Sequence, residues 1–111
     1  MSQPAFSERR PSSRQLLAAV VHDAATATPG VVELDGRWAT QLPDGPLPGV
    51  VVAADGAGRH AVDLYVVAAL VTLHDLSARL REATARAASA SGLADALGVV
   101  AVHITDVAEA A

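Results

Sequence analysis

The sequence predicts an α+β domain built as a two-layer sandwich, in which a mixed sheet carries two helices on one face. The first observation is size, because 111 residues with 51% apolar content suffice for one small core and not for two. The second is periodicity: two segments repeat apolar residues at helical spacing, and several others are rich in Val and alternate in polarity. The third is the order of these segments, which is α-β-β-β-α-β.

Composition predicts the domain boundaries. Residues 1–11 mix Ser, Pro, Arg and Glu with a single Phe, so we expect a flexible tail there. The folded domain is predicted over residues 12–108, followed by a short C-terminal tail at residues 109–111. No stretch approaches the roughly 18 uninterrupted apolar residues of a membrane span, so we expect a domain that is soluble on its own.

The first helix is expected to begin after Ser12 or Ser13, because either hydroxyl can cap a helix N-terminus. It should end before Pro29-Gly30, a pair that stops a helix. One face of this helix is predicted to pack on the sheet, and it consists of Leu16, Leu17, Val20, Val21, Ala24 and Ala25.

The first strand is predicted directly after this helix. Residues 31–35 are β-branched and partly alternating, a pattern typical of strands. Val32, Leu34 and Trp38 are expected to share one face, provided that Gly36 does not shift the register.

A loop and a β-hairpin follow. Residues 42–49 hold three prolines and two glycines, which disfavours helix and central strand alike and predicts a loop. The hairpin has predicted strands at residues 49–54 and 59–70, and the glycines of its turn at residues 55–58 supply the positive φ that hairpin turns need. On the second strand one face, predicted to meet the helices, consists of Val62, Leu64, Val66 and Ala68, and the other of Ala61, Asp63, Tyr65, Val67 and Ala69.

The second helix is expected to start at Thr72, because Thr72 and Asp75 have the spacing of a capping box with Asp in place of Glu, and to end at Gly92. The closing strand is predicted over residues 98–107. A strand, a helix and a strand in this order form a right-handed β-α-β unit, which places the second helix beside the first on the apolar face of the sheet. The apolar stripe of the second helix consists of Leu73, Leu76, Leu80, Ala83, Thr84 and Ala87.

No pattern of side chains predicts catalysis or a cofactor. The chain has no Cys, which excludes thiolate zinc sites and cysteine hydrolases, and its four histidines fall on different elements without the spacing of a metal motif. There is no Gly-x-Ser-x-Gly elbow for a nucleophile. The glycines at residues 55–58 lie in a hairpin turn, without the helix N-terminus that a phosphate site uses. We therefore expect no catalytic residue, no bound cofactor and no metal.

The charge distribution argues against nucleic acid as the partner. Residues 1–14 hold three Arg and one Glu, whereas residues 15–111 hold five Arg and eleven acidic residues. A duplex-binding domain normally presents a basic face that displaces counterions from phosphates. Two alternatives stay open: a small RNA-binding domain, since sheets with an open face commonly bind RNA, and a small enzyme or ligand-binding fold that uses His103 with Asp63.

The sheet face without helices is predicted to be an association surface. The outward residues of the second hairpin strand and of the closing strand are more apolar than solvation requires, and such patches mark protein contacts. We expect self-association or a protein partner there. The candidate interaction residues are Asp63, Tyr65, Val67, Ala101 and His103.

Several motifs occur in an order that resembles the alkaline shock protein family of Gram-positive envelope stress response proteins. The resemblance spans residues 15–108, and the abundance of Ala with Arg as the only basic residue is typical of a high-GC bacterial member. The family usually has Tyr-Gly where this chain has Leu70-Val71-Thr72, and the step before the last strand is lengthened by residues 94–97, so the chain resembles a divergent branch. The motifs are Pro29-Gly30-Val31-Val32, Gly49-Val50-Val51-Val52, Asp63-Leu64-Tyr65-Val66-Val67, Ser91-Gly92-Leu93 and Val102-His103-Ile104-Thr105-Asp106-Val107.

This resemblance implies a function that composition and spacing do not. It implies a non-enzymatic protein of cell-envelope stress homeostasis, prone to self-association and held at the membrane by a membrane-embedded partner. The implied location is cytoplasmic, peripheral at the inner face of the cell membrane.

Overall fold

A computed structural model describes residues 12–108 and confirms the α+β class. The predicted tails, residues 1–11 and 109–111, lie outside the described residues. The elements are α1 (Ser13–Thr26), β1 (Val31–Leu34), β2 (Ala39–Leu42), β3 (Gly45–Pro48), β4 (Val50–Ala54), β5 (His60–Ala68), α2 (Leu73–Ala90), a 3-10 turn (Ala94–Ala96) and β6 (Leu97–Val107).

β5 is the central strand of the main sheet. β4 pairs with its first half and β1 with its last residues, both antiparallel. β6 runs parallel along the whole of β5, so β6 occupies the opposite edge. Where β1 ends and β4 begins along β5, Tyr65 bonds to both neighbouring segments. Its N–H donates to the Gly49 carbonyl and its carbonyl accepts from the Asp35 N–H, both at 2.8 Å. The predicted hairpin and the parallel β-α-β unit are therefore present.

The core lies between this sheet and the two helices. On β5 the predicted inward face is confirmed, since Val62, Leu64, Val66 and Ala68 are at most 1% exposed. The residues that each helix buries form a row at i, i+4 spacing, with Ala18 beside it on α1. This buried face is narrower than the predicted stripes, and Leu16 and Leu73 are 43% and 39% exposed. The buried helix residues are Leu17, Ala18, Val21 and Ala25 on α1, and Leu76, Leu80, Thr84 and Ala88 on α2.

The helix caps follow the prediction at one helix only. The Ser12 hydroxyl accepts a hydrogen bond from the Gln15 N–H at 3.1 Å, and the Ser12 N–H donates to Gln15 Oε1 at 2.9 Å, which completes a capping box. Thr72 is the N-cap of α2, but its side chain makes no capping hydrogen bond. The predicted capping box is wrong there, because Asp75 is one methylene shorter than the Glu that reaches back in this motif.

The loop predicted at residues 42–49 is part of a second, two-stranded sheet. β2 and β3 pair antiparallel, with Ala39 opposite Pro48 and Gln41 opposite Pro46. The loop prediction was wrong because each strand of a two-stranded hairpin has a free edge, where a proline without an N–H to donate is accommodated.

The predicted common face of Val32, Leu34 and Trp38 is also wrong. The pairing of β1 with β5 shifts register between Val31 and Glu33, and such a bulge changes which residues face the core. Val32 is consequently 53% exposed, while Leu34 packs against the core. Trp38 lies in the turn after β1, on the side of the sheet away from the helices.

Candidate interaction surface

Three aromatic side chains stack on the sheet face that the helices leave open. The ring centroids of Trp38 and Tyr65 are 4.3 Å apart with an interplanar angle of 4°, and those of Tyr65 and His103 are 4.6 Å apart with an angle of 13°. These spacings are close to the roughly 4.8 Å between neighbouring strands. The three rings are therefore nearly parallel, each stacked on the next at about one strand spacing. Trp38, Tyr65 and His103 are called the ladder below, and Tyr65 has a ring against each of its faces.

The parallel register of β6 builds the second half of the ladder. It sets His103 opposite Tyr65 and Ala101 opposite Asp63. His103 Nε2 lies 2.9 Å from Asp63 Oδ1, and the two side chains are 44% and 37% exposed. Asp63 thus fixes the ring plane of His103 against Tyr65, at the solvent boundary.

An ion pair covers the other end of the ladder. The Arg37 guanidinium carbon lies 5.0 Å from the centre of the Trp38 ring, a favourable cation–π distance. Arg37 Nε donates to both carboxylate oxygens of Asp35 at 3.0 and 3.1 Å, and its Nη2 donates to Oδ2 at 2.6 Å. Bidentate pairing of this kind fixes the plane of a guanidinium, so Arg37 is held over Trp38.

Asp35 is the most constrained acid of this surface. It is 8% exposed, and besides the Arg37 side chain it accepts the Arg37 backbone N–H at 3.0 Å and the Thr105 hydroxyl at 2.7 Å. These bonds, first of all those from the Arg37 side chain, hold the pKa of Asp35 far below its usual value because each favours the carboxylate. The same pair raises the pKa of Arg37.

Four of the five residues singled out in the sequence come together here. Asp63, Tyr65, Ala101 and His103 lie on adjacent positions of β5 and β6. Val67 is on the same face but opposite Asp106, because the register shifts between Val66 and Val67. Together with Trp38, these five residues are called the open face below.

Sequence reasoning missed Asp35, Arg37, Trp38 and Thr105. The missed signal was the segment Asp35-Gly36-Arg37, an acid and a base flanking a turn glycine, which is short enough for the side chains to meet. The chain has one Trp and one Tyr, and both contribute to the ladder rather than to the core.

Polar pairs flank the ladder, with His103 and Asp63 at one end and Arg37 and Asp35 at the other. His103 and Asp63 form a potential general base, but within residues 12–108 no Ser, Thr or Tyr hydroxyl hydrogen-bonds to the His103 ring. The described residues also contain no group of three or more His, Asp or Glu placed to hold a metal ion. The arrangement therefore offers a rigid aromatic ridge with polar ends.

A cleft of about 320 Å³ lies on the opposite, helical side of the domain. Its two arginines are already engaged: Arg79 Nη1 donates to the Pro29 carbonyl at 2.8 Å, and Arg86 Nη1 lies 3.4 Å from Glu82 Oε1. The cleft is separate from the ladder. None of the helices within the described range is long and apolar enough to cross a membrane.

Comparison with known proteins gives no match: no family model fits the chain, and no curated protein or solved structure is significantly similar to it. The resemblance to alkaline shock proteins therefore depends on the sequence motifs alone.

Proposed function

We propose that this protein is a non-catalytic interaction module of cell-envelope stress homeostasis, which binds a membrane-embedded protein through its open face. The observation that supports this most is the ladder. Trp and Tyr rings that are already held in place lose little conformational entropy on binding, and such residues dominate the energetics of protein interfaces. The motif resemblance supports the envelope role.

The ladder leaves polar groups available to a partner. Within residues 12–108 no side-chain hydrogen bond involves the Tyr65 hydroxyl or the Trp38 indole N–H. A buried Tyr or Trp usually finds a partner for its polar atom. A partner that covered the open face would therefore be recognised in two ways. It would make apolar contact with the ladder, and it would place hydrogen-bond acceptors over these two groups.

Charge favours the cytoplasmic segment of a membrane protein as the partner. Asp63 and Asp106 lie beside the ladder, and the positive charge of Arg37 is neutralised by Asp35. The segments that flank membrane spans on the cytoplasmic side are enriched in Lys and Arg. Such a basic segment is complementary in charge to Asp63 and Asp106. This attraction would raise the association rate and the specificity of the complex.

The RNA-binding alternative is less compatible with the ladder. Sheet domains that bind RNA stack bases on exposed aromatic faces, whereas Tyr65 is enclosed between Trp38 and His103. Arg37 covers the remaining face of Trp38. Within residues 12–108, the ring face of the ladder that is left for a base is the outer side of His103.

Membrane vesicles from the source cells test the proposal. The purified protein should cosediment with inside-out vesicles of the cell membrane, which expose its cytoplasmic face, and binding should disappear when exposed vesicle proteins are removed by protease or when protein-free liposomes are used. Tyr65→Glu and Val67→Asp should each abolish this binding, because both place a charge within the open face. Leu70→Asp is the matched control, since Leu70 is 70% exposed and lies after β5, and it should bind normally.

Circular dichroism establishes that each variant is folded before it is scored. Undiminished vesicle binding by folded Val67→Asp and Tyr65→Glu would show that another surface makes the contact. Equal binding to liposomes would show that lipid rather than protein is recognised.

A further inference from the structure

We propose that the free edge of β6 pairs antiparallel with the same strand of a second copy of this chain, which joins two sheets across a two-fold axis. This edge adjoins the open face, whose Ala101 and His103 lie on β6, and its pairing adds a homodimer to the proposed function. β6 is 11 residues long, and among residues 12–108 it pairs with β5 alone. The backbone groups along its other edge are therefore available to a further strand.

Between its two irregularities, over Val100–Ile104, β6 has none of the charges or prolines that protect an edge strand. Natural sheets block their edges with Lys, Pro or inward-pointing charges. Residues 97–107 contain no Pro, Lys or Arg, and Asp106, near the C-terminal end, is their only charged residue. The most exposed large apolar side chain of the described residues is Val99, at 76%. The edge is thus suited to pairing between chains.

The core is incomplete at this edge. Val62, Leu64 and Val66 of β5 are at most 1% exposed, whereas the inward residues of β6 are only partly buried although they pack on the same core. These inward residues are Val100, Val102 and Ile104. A further strand beside β6 would bury them and extend the helix-covered layer.

A second copy fits this edge on both faces. In a two-fold pairing centred on Val102, each inward residue meets another inward residue, and Val100 faces Ile104 of the second copy. On the other face, the small Ala101 lies opposite His103 of the second copy, whose outer ring face is the uncovered end of the ladder. The two ladders would then approach each other within one continuous sheet.

Charge is compatible with this register. Asp106 would lie opposite Gly98 of the second copy, so no two acids are placed opposite each other, an arrangement that would destabilise a sheet. The register shift between Val66 and Val67 marks an irregularity in β6 after Ile104. A second shift, between His60 and Val62, marks an irregularity before Val100. Regular pairing is therefore confined to Val100–Ile104, a segment centred on Val102 and about as long as a typical strand in globular proteins.

A charged edge residue tests the proposal. Wild-type protein should show a concentration-dependent monomer–dimer equilibrium in sedimentation, and Val99→Lys should weaken the dimer by at least about tenfold. Val32→Lys is the matched control, because Val32 is 53% exposed and lies on β1, across β5 from β6. A wild-type chain that stays monomeric up to about 1 mM, or a Val99→Lys dimer as strong as the control, overturns the proposal.

Cysteine substitution tests the register, since the chain has no Cys of its own. Val102→Cys should give covalent dimers with a short bifunctional thiol reagent, because the two thiols lie opposite each other. Val100→Cys should not, because its two copies would be four residues out of register, about 13 Å along the strand. Crosslinking of Val100→Cys in preference to Val102→Cys would contradict the pairing.

Hydrogen exchange identifies the occupant of the edge. Protection of the β6 amides should rise with protein concentration and fall in Val99→Lys. Protection that is independent of concentration and disappears when residues 1–11 are deleted would mean that the chain's own N-terminal segment covers the edge. Val67→Asp should leave dimerisation intact and Val99→Lys should leave vesicle binding intact, so that this inference and the proposed function can fail separately.

Discussion

The Thr105 hydroxyl donates a hydrogen bond to Asp35 Oδ2 at 2.7 Å, and the two residues are 70 positions apart in the sequence. Asp35 follows β1 on one side of β5, and Thr105 belongs to β6 on the other side. The bond therefore connects the turn that carries Arg37 and Trp38 to the strand that carries His103. Both ends of the ladder are tied to the sheet through this contact.

The first prediction concerns the pH dependence of stability through Asp35. Its pKa in the folded protein lies far below its usual value of 3.8, so the folded state favours the carboxylate. The stabilisation is fully present above the unfolded pKa and is lost as pH falls toward the folded pKa. The difference in melting temperature between wild type and Asp35→Asn should be largest near pH 6 and should shrink steadily below about pH 4.

Thermal unfolding followed by circular dichroism from pH 6 to pH 3 measures this difference. Parallel curves for the two proteins across that range would mean that Asp35 contributes nothing through its charge. Thr105→Val should reduce the melting temperature at pH 6 by less than Asp35→Asn, because it removes one of several donors to the carboxylate.

The second prediction concerns Gly49, whose backbone links the ladder to the sheet. Gly49 has φ of 76°, and a Cβ there would overlap the Leu34 side chain and lie 3.0 Å from the Tyr65 carbonyl oxygen. Gly49→Ala should therefore destabilise the fold by several kcal/mol, about 3 or more, from strain and overlap together. Gly56→Ala is the control, because Gly56 has φ of 84° but open space around it, and only about 1–2 kcal/mol is expected.

Urea unfolding at neutral pH gives both values. Equal destabilisation by the two substitutions would indicate that positive φ alone, and not the close approach of β1, explains the glycine at position 49.

The sequence was sufficient to predict the layers and the central strand. The alternation along β5 specifies which side chains face the core, because a register shift of one residue would bury Asp63. The β-α-β order specifies that β6 runs parallel to β5. The ladder was only half predictable. Tyr65 and His103 follow from that parallel pairing, whereas Trp38 reaches the open face through the turn after β1, in which its N–H donates to the Asp35 carbonyl and its carbonyl accepts from the Gly49 N–H. This second contact depends on tertiary structure that the local sequence does not record.

The second sheet was missed for a related reason. Proline content correctly excludes residues 42–49 from a central strand, but it does not exclude an isolated hairpin that packs beside β4. The contact that anchors this hairpin is made by Thr40, a residue with no distinctive sequence pattern around it.

The third prediction concerns Thr40. Its hydroxyl donates to the Val50 carbonyl at 2.6 Å and accepts from the Val52 N–H at 3.3 Å, and the residue is 1% exposed. Thr40→Val keeps the shape but leaves two backbone groups without this partner, which should cost about 1–3 kcal/mol. Thr26→Val is the control, since its hydroxyl bonds to the His22 carbonyl at the exposed end of α1 and should change stability by less than about 0.5 kcal/mol. Similar losses in the two variants, measured by urea unfolding, would mean that the buried hydroxyl is not required.

The last prediction separates a protein-binding face from an RNA-binding one. Trp38 is the only Trp of the chain and forms part of the ladder, so its fluorescence reports directly on ligands that reach the open face. Stacking on an aromatic residue contributes about 1–3 kcal/mol per base, but this requires a free ring face, which Tyr65 lacks. Single-stranded RNA should therefore leave the Trp38 emission unchanged at physiological salt. His103→Ala, which uncovers one face of Tyr65, should be the only variant in which any RNA-dependent quenching develops, and quenching of the wild type that weakens with added salt would favour the RNA-binding alternative instead.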